Sequence, residues 1–374
     1  MEEEMDAKKT INFLRGVPAE EALSNLIPLA AEGYEKVIRI YGTEVLQYGH
    51  FVGFKPLREL IGGIHQVHPD RVIIGNGGLE VISLFFKSLP RESRIIVEEA
   101  SYDRVLTDLG CYGHQLLGVR LSSDGVDINH FQELADQGPV TAFYGIPFHQ
   151  NPTGIIYSEA NRKHVEQICR EKNIFCLWDI CYQDLRYDGI RNIPIEVSDW
   201  GPLLTSSFTK TISPGTKCGY MIVPLDYVGH FSKIIANTRI NPNLPTQAFI
   251  ADFMESGKYL DYLQYLCRLY QPRMEALNTS LQAHFPGAYP APVTGGFFST
   301  LTFPTIQKDN EAAFLESAKA AGVGLSPAWE AISPDRRDEW RLKGLLVRVA
   351  FPALSVDDIA LGLSRLNEAV KLYS

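Results

Sequence analysis

From about Arg71 to Tyr220 short apolar runs alternate with stretches whose apolar residues recur at helical spacing. That is the pattern of helices packed on a largely parallel sheet, an α/β architecture. The runs Arg71–Ile74, Arg94–Val97, Gln115–Val119, Val140–Tyr144, Ile174–Trp178, Leu203–Ser206 and Cys218–Val223 predict strands, and Leu79–Ser88, Asp127–Ala135 and Glu159–Lys172 predict helices between them. After Asn241 the texture changes. Thr246–His284 reads as a long helix broken near Pro272, Gly295-Gly296 opens a strand, and Leu345–Phe351 forms another before a terminal helix. The expected organisation is an N-terminal segment over residues 1–47 laid on the small domain, a large domain over 48–240, and an interdomain helix with a small α+β domain over 241–374.

Composition narrows the function classes. A chain of 374 residues with 45% hydrophobic side chains has enough apolar surface for a large core. The formal net charge of -9, with no basic block interleaved with aromatics, argues against nucleic acid as a partner. An acidic start, Met-Glu-Glu-Glu-Met-Asp, and the lack of any run of about 18 apolar residues predict a soluble, cytoplasmic protein with no membrane partner. The six cysteines form no Cys-x-x-Cys pair and have no histidine at zinc-finger spacing, so reduced structural thiols are expected and no metal site.

The sharpest local feature is Ser207-Phe208-Thr209-Lys210-Thr211-Ile212-Ser213-Pro214-Gly215, between two apolar strands. An amine that attacks an aldehyde must be neutral, whereas free lysine titrates near about 10.4. A Schiff-base lysine therefore needs a partly desolvated, electropositive pocket, which a strand-end loop beside a phosphate site provides. Taken alone, Lys210 reads as a surface-loop lysine. Upstream, Pro147-Phe148-His149-Gln150-Asn151-Pro152-Thr153-Gly154 follows a strand and places Asn151 at its carboxyl end, where crevices bind ligands. Turn geometry explains Pro152 and Gly154 but not the asparagine. Ile174-Phe175-Cys176-Leu177-Trp178-Asp179 ends an apolar strand in a carboxylate, with Tyr182 three positions on. Buried there, Asp179 needs a cationic or strong donor partner, such as a protonated pyridine nitrogen. A helix N-cap is the alternative reading of Asp179.

In this order the pieces resemble the class I/II (fold-type I) pyridoxal-phosphate-dependent aminotransferase family, nearest its kynurenine/aminoadipate aminotransferase branch. The resemblance rests on Asn151 to Gly154, Asp179 with Tyr182, Ser207 and Lys210 with Pro214 and Gly215, and a late Arg348 before Phe351. It implies pyridoxal 5'-phosphate carried by Lys210, with Asp179 on the ring nitrogen, Tyr102 stacked on the ring, and Asn151 and Tyr182 near the phenolic oxygen. It also implies a phosphate at Gly77, Gly78, Leu79, Ser207 and Lys217. Arg348 would bind the substrate's α-carboxylate, with the backbone amide of Gly16 near it. Tyr48 would reach the phosphate of the neighbouring subunit, which implies a homodimer.

Three positions depart from the family pattern. Gly78 and Leu79 stand where Ser and Gln are usual, and Lys217 stands where an arginine binds the phosphate, so charge survives while two side-chain donors and a planar fork are lost. The same loop, Gly75-x-Gly77 after a strand with Glu98 about twenty residues on, also permits a dinucleotide reading, against which stands Glu80 at the third glycine position. The expected activity is an amino-acid aminotransferase. The alternatives are elimination or cyclisation of a β- or γ-substituted amino acid such as a hydroxyarginine, and a non-catalytic cofactor-binding protein. A cationic substrate would be favoured if Glu20 or Glu21 faced the pocket; two acids in the first turn of a surface helix are the competing explanation.

Overall fold

The computed structural model of the protein describes residues 9–373, so the acidic start that bears on export lies outside the described residues. Seven strands form one sheet in the order Val72–Gly75, Gly219–Ile222, Leu203–Ser207, Phe175–Asp179, Ala142–Gly145, Arg94–Glu98, Gln115–Val119. Gly219–Ile222 runs antiparallel to both its neighbours, and the other pairs are parallel. The strands are buried along nearly their whole length and mostly apolar, with no solvated side that would impose an alternation of polar residues. Each strand expected in this region is present, shifted by no more than two residues at an end. One edge therefore collects the ends of the runs, Gly75, Glu98, Gly145, Asp179 and Ser207, and the loops that leave them.

The C-terminal third departs from expectation at one point. Thr246–His284 is two helices, Leu244–Glu255 and Lys258–His284, and the break falls at Ser256-Gly257 rather than near Pro272. Gly257 holds a left-handed φ of 79°, which a side chain resists and which ends a helix. Pro272 lies inside the second helix. It removes one hydrogen-bond donor, but the flanking Tyr270, Arg273, Met274 and Leu277 are buried, and this tertiary packing holds the helix through the defect.

Phe298–Phe303 and Leu345–Ala350 form a two-stranded antiparallel sheet that sets Arg348 opposite Thr300. Near the other end of the chain Ile11–Asn12 pairs in parallel with Val323–Gly324, and Phe13, fully buried, packs on the terminal helix Val356–Lys371. That contact requires a glycine, since a Cβ at Gly362 would stand 2.7 Å from the Phe13 ring. Among the described residues no helix is long and apolar enough to cross a membrane.

Because Phe13 anchors the segment that leads to Leu14 and Gly16, Gly362→Ala is expected to destabilise the protein by about 1–3 kcal/mol through overpacking. A thermal-denaturation midpoint no lower than the wild type's would show that the ring yields freely.

Candidate functional site

Asp179 ends its strand buried. Its Oδ2 accepts from the Tyr144 hydroxyl at 3.0 Å and its Oδ1 from the Cys181 amide at 3.2 Å. The chain turns after Asp179 without entering a helix, so the N-cap reading does not hold. Burial raises the Asp179 carboxyl above its ordinary range, opposed by the Cys181 amide, the Tyr144 hydroxyl and the Lys210 charge. Among the described residues no cation is in contact with this carboxyl group withdrawn from water, a state that a protonated ring nitrogen would stabilise.

Lys210 lies in the loop after Leu203–Ser207, the next strand of the sheet. Its Nζ donates to the Gly16 carbonyl at 3.2 Å and sits 5.3 Å from the Phe297 ring centroid and 6.0 Å from that of Tyr182. Burial holds its pKa below that of a free lysine, and the Arg348 guanidinium lowers it further against the pull of Asp179. A surface-loop lysine has neither the burial nor the neighbours. Gly16 was expected to offer its amide to this region; it is the carbonyl that bonds Lys210.

Arg348 reaches the same place from the Leu345–Ala350 strand. Its Nη1 donates to Asn151 Oδ1 at 3.3 Å, its Nη2 to the Leu14 carbonyl at 3.3 Å, and its guanidinium lies 4.6 Å from the Phe298 ring centroid. Gly16 is needed for this stack, since a Cβ there would fall 2.1 Å from the Phe298 ring. Tyr182 is buried and Tyr102 partly so; burial pushes the Tyr102 hydroxyl up to about 12 and that of Tyr182 well above its ordinary range, so both stay neutral hydroxyls. Residues as far apart in sequence as Gly16, Asn151, Tyr182, Lys210 and Arg348 therefore meet at one edge of the sheet.

Beside them is a cradle for an anion. Gly77 precedes the helix Gly78–Ser88 with a φ of 111°, and the first amides of any helix lack intrahelical partners and face the positive end of its dipole. A Cβ at Gly78 would meet Ser207 Cβ at 3.3 Å, and one at Gly219 would lie 2.6 Å from Gly78 N. Backbone, rather than side chain, thus forms this surface, and it fits a phosphate that is gripped by amides. Ser207 Oγ already donates to Thr209 Oγ1 at 2.6 Å. Lys217 is exposed in a left-handed turn two residues before Gly219, and Leu79 and Tyr48 are also exposed.

Two sequence readings fail. Glu98 cannot bind a ribose, because it is fully buried and accepts four hydrogen bonds: from Ser101 Oγ at 2.7 Å, Ile146 N at 2.8 Å, Gln150 Nε2 at 2.7 Å and Tyr157 OH at 2.7 Å. Through Ser101 and Gln150 it braces the residues next to Tyr102 and Asn151, a role the sequence reading missed although Glu98 ends an apolar strand just as Asp179 does. Glu21 is turned to Arg273 at 2.6 Å, and Glu20 lies exposed beside it in the first turn of Glu20–Tyr41, so the helix-start explanation of this pair holds.

Residues 9–324 match the family described as aminotransferase class I and II. Aromatic-amino-acid aminotransferase 1 of Thermococcus litoralis is 25% identical over 98% of this chain and 89% of its own. Among solved structures, a multiple substrate aminotransferase from Thermococcus profundus superposes with a TM-score of 0.89 at 23% identity, covering 98% of this chain and 93% of that one. LysN, the alpha-aminoadipate aminotransferase of Thermus thermophilus complexed with N-(5'-phosphopyridoxyl)-L-leucine, has a TM-score of 0.85 at 22% identity, with coverage of 98% and 93%.

Burial raises Glu98 from 4.5 to about 7 against its four donors. Between those values the folded chain keeps a proton that the unfolded chain releases, so this group's contribution to stability falls as pH rises through that window, by at most about 1.4 kcal/mol per pH unit. The stability of the wild type minus that of Glu98→Gln, from denaturant midpoints, should therefore decline between pH 4.5 and about 7. A difference flat across that range would mean that Glu98 titrates normally.

Proposed function

The chain belongs to the aminotransferase class I and II family and uses that family's cofactor, pyridoxal 5'-phosphate, and on that premise we propose that it moves the amino group of an amino acid to an oxo-acid acceptor, with Lys210 as covalent anchor and proton carrier. The observation that carries this reading is the meeting of Lys210, its pKa lowered by burial, with Asp179 and Arg348 at one strand edge.

Bound there, the cofactor supplies an aldehyde for amine exchange and a ring that draws electrons from the substrate's α-carbon. Asp179 would hold the proton of the ring nitrogen, Tyr102 stack on the ring, and Asn151 and Tyr182 hydrogen-bond the phenolic oxygen. The amides of Gly77, Gly78 and Leu79, with Ser207, Lys217 and Tyr48 of the partner subunit, would hold the phosphate. Arg348 clamps the substrate's α-carboxylate through its two terminal nitrogens, at the mouth formed with Gly16. Lys210, its pKa lowered by burial, would take the α-proton and return it. The Leu14 and Asn151 contacts orient the Arg348 guanidinium and so fix the α-carbon relative to Lys210.

The exposure of Tyr48, at 74% of its surface, supports the homodimer, since a large aromatic ring left in water has area to bury against a partner. The division into residues 1–47, 48–240 and 241–374 and a cytoplasmic location belong to the same proposal. With Glu21 engaged by Arg273, the one feature that favoured a cationic substrate, and with it cyclisation of a hydroxyarginine, no longer does so.

Reconstituted wild type should show a visible absorption band from the lysine-linked cofactor, and Lys210→Ala should lose it together with at least about a thousandfold in turnover, a loss of the size that removing a general acid–base and nucleophile brings. Incubated with a panel of amino acids, the enzyme should form oxo acid only when a keto-acid acceptor is supplied; acceptor-independent loss of water or another leaving group would reject transamination.

A further inference from the structure

Behind the anion cradle lies an ion pair that the proposed chemistry does not use. Glu80, in the first turn of Gly78–Ser88, folds back so that its Oε2 accepts from the Asn76 amide at 2.6 Å and its Oε1 from Asn76 Nδ2 at 3.2 Å. Arg239 Nη1 donates to the same Oε2 at 2.6 Å. Its Nη2 bonds the carbonyls of Ile74 and Phe51, and among the described residues its buried Nε has no partner. One guanidinium thus joins the strand that enters the loop, the carboxylate that closes it, and the segment after Tyr48. The adjoining chain adds two further ties: Asn243 N to Asn76 Oδ1, and Gly49 N to Asn241 Oδ1, both 3.2 Å.

We propose that Arg239 is a positioning residue for the phosphate site: by pairing with Glu80 it neutralises a carboxylate next to the cradle and holds the Asn76–Gly78 loop in its anion-gripping form. The proposal rests on placing the cofactor's phosphate at Gly77 to Leu79. A carboxylate in the first turn of a helix occupies the site that a phosphate prefers, and by itself it repels a dianion. The Arg239 side chain is 10% exposed, and a guanidinium is costly to bury unless it is paired, so packing alone does not account for it. Its effect matters more in this chain than in one with side-chain donors, because with Gly78, Leu79 and Lys217 the grip depends on how the backbone amides are aimed. Arg239 acts through Glu80 and the loop, without contact to the ligand.

The test compares dissociation constants of pyridoxal phosphate and of pyridoxal, which lacks the phosphate, for the apoprotein and its variants. Arg239→Gln should raise the constant for pyridoxal phosphate roughly tenfold, as expected when a charge a few ångströms from a partly buried anion is left uncompensated, and should leave that for pyridoxal within about twofold. Glu80→Gln added to Arg239→Gln should recover most of the loss, because the repelling charge is gone. Arg239→Lys, which keeps the charge and loses the fork, should fall between wild type and Arg239→Gln, and it carries the test if the glutamine variant does not fold. An unchanged constant for pyridoxal phosphate, an equal rise for both ligands, or no recovery in the double variant overturns the proposal. Ser207→Ala is the reference for the phosphate site itself: a rise there with none in Arg239→Gln rejects the ion pair's role alone, whereas no rise in either rejects the placement of the phosphate and the inference with it.

Discussion

Charges taken out of water must find partners or change protonation, and this constraint governs the edge of the sheet where the runs end. Asp179 ends one strand and Lys210 follows the end of the next, where the Phe297 and Tyr182 rings lie beside its amine. Burial raises the first and lowers the second. Both shifts weaken the charged state of a group that has no ionic partner in direct contact among the described residues, so the site is primed to take a ligand that brings the missing charge and donors.

The rest of the fold serves that edge. Parallel strands packed on both faces aim several loops to one side, which a sheet of hairpins does not do. The small antiparallel pair delivers Arg348 from more than a hundred residues downstream, and the N-terminal segment, pinned by Phe13 against Gly362, delivers the carbonyls of Leu14 and Gly16. Behind this contact layer, carboxylates with several donors hold the loops: Glu98 braces the residues beside Tyr102 and Asn151, and Glu80 closes the anion loop.

The strands of the sheet were legible because a strand buried on both faces is a continuous apolar run, and Asp179 was legible because a carboxylate ends such a run. Glu98 carries the same mark, yet the dinucleotide spacing around it drew attention to the wrong chemistry. The helix break was misplaced because Pro272 is the stronger local breaker, whereas tertiary packing holds the helix through it and the left-handed Gly257 ends the preceding one. Nothing local marks Arg239, whose partner Glu80 lies 159 positions away and becomes its neighbour only once the strands pair. Likewise, the direction of the Gly16 carbonyl and the Tyr144 bond to Asp179 depend on three-dimensional register, not on residue type.

The claim on which the account turns is that Lys210, whose pKa burial lowers, is the residue that carries the cofactor. The most direct measurement is to load the protein with pyridoxal phosphate, reduce the linkage with borohydride, digest it and locate the phosphopyridoxyl group by mass spectrometry. The account predicts modification of Lys210, with the exposed Lys217 unmodified; label on Lys217 or another lysine, or no stable label, would contradict it.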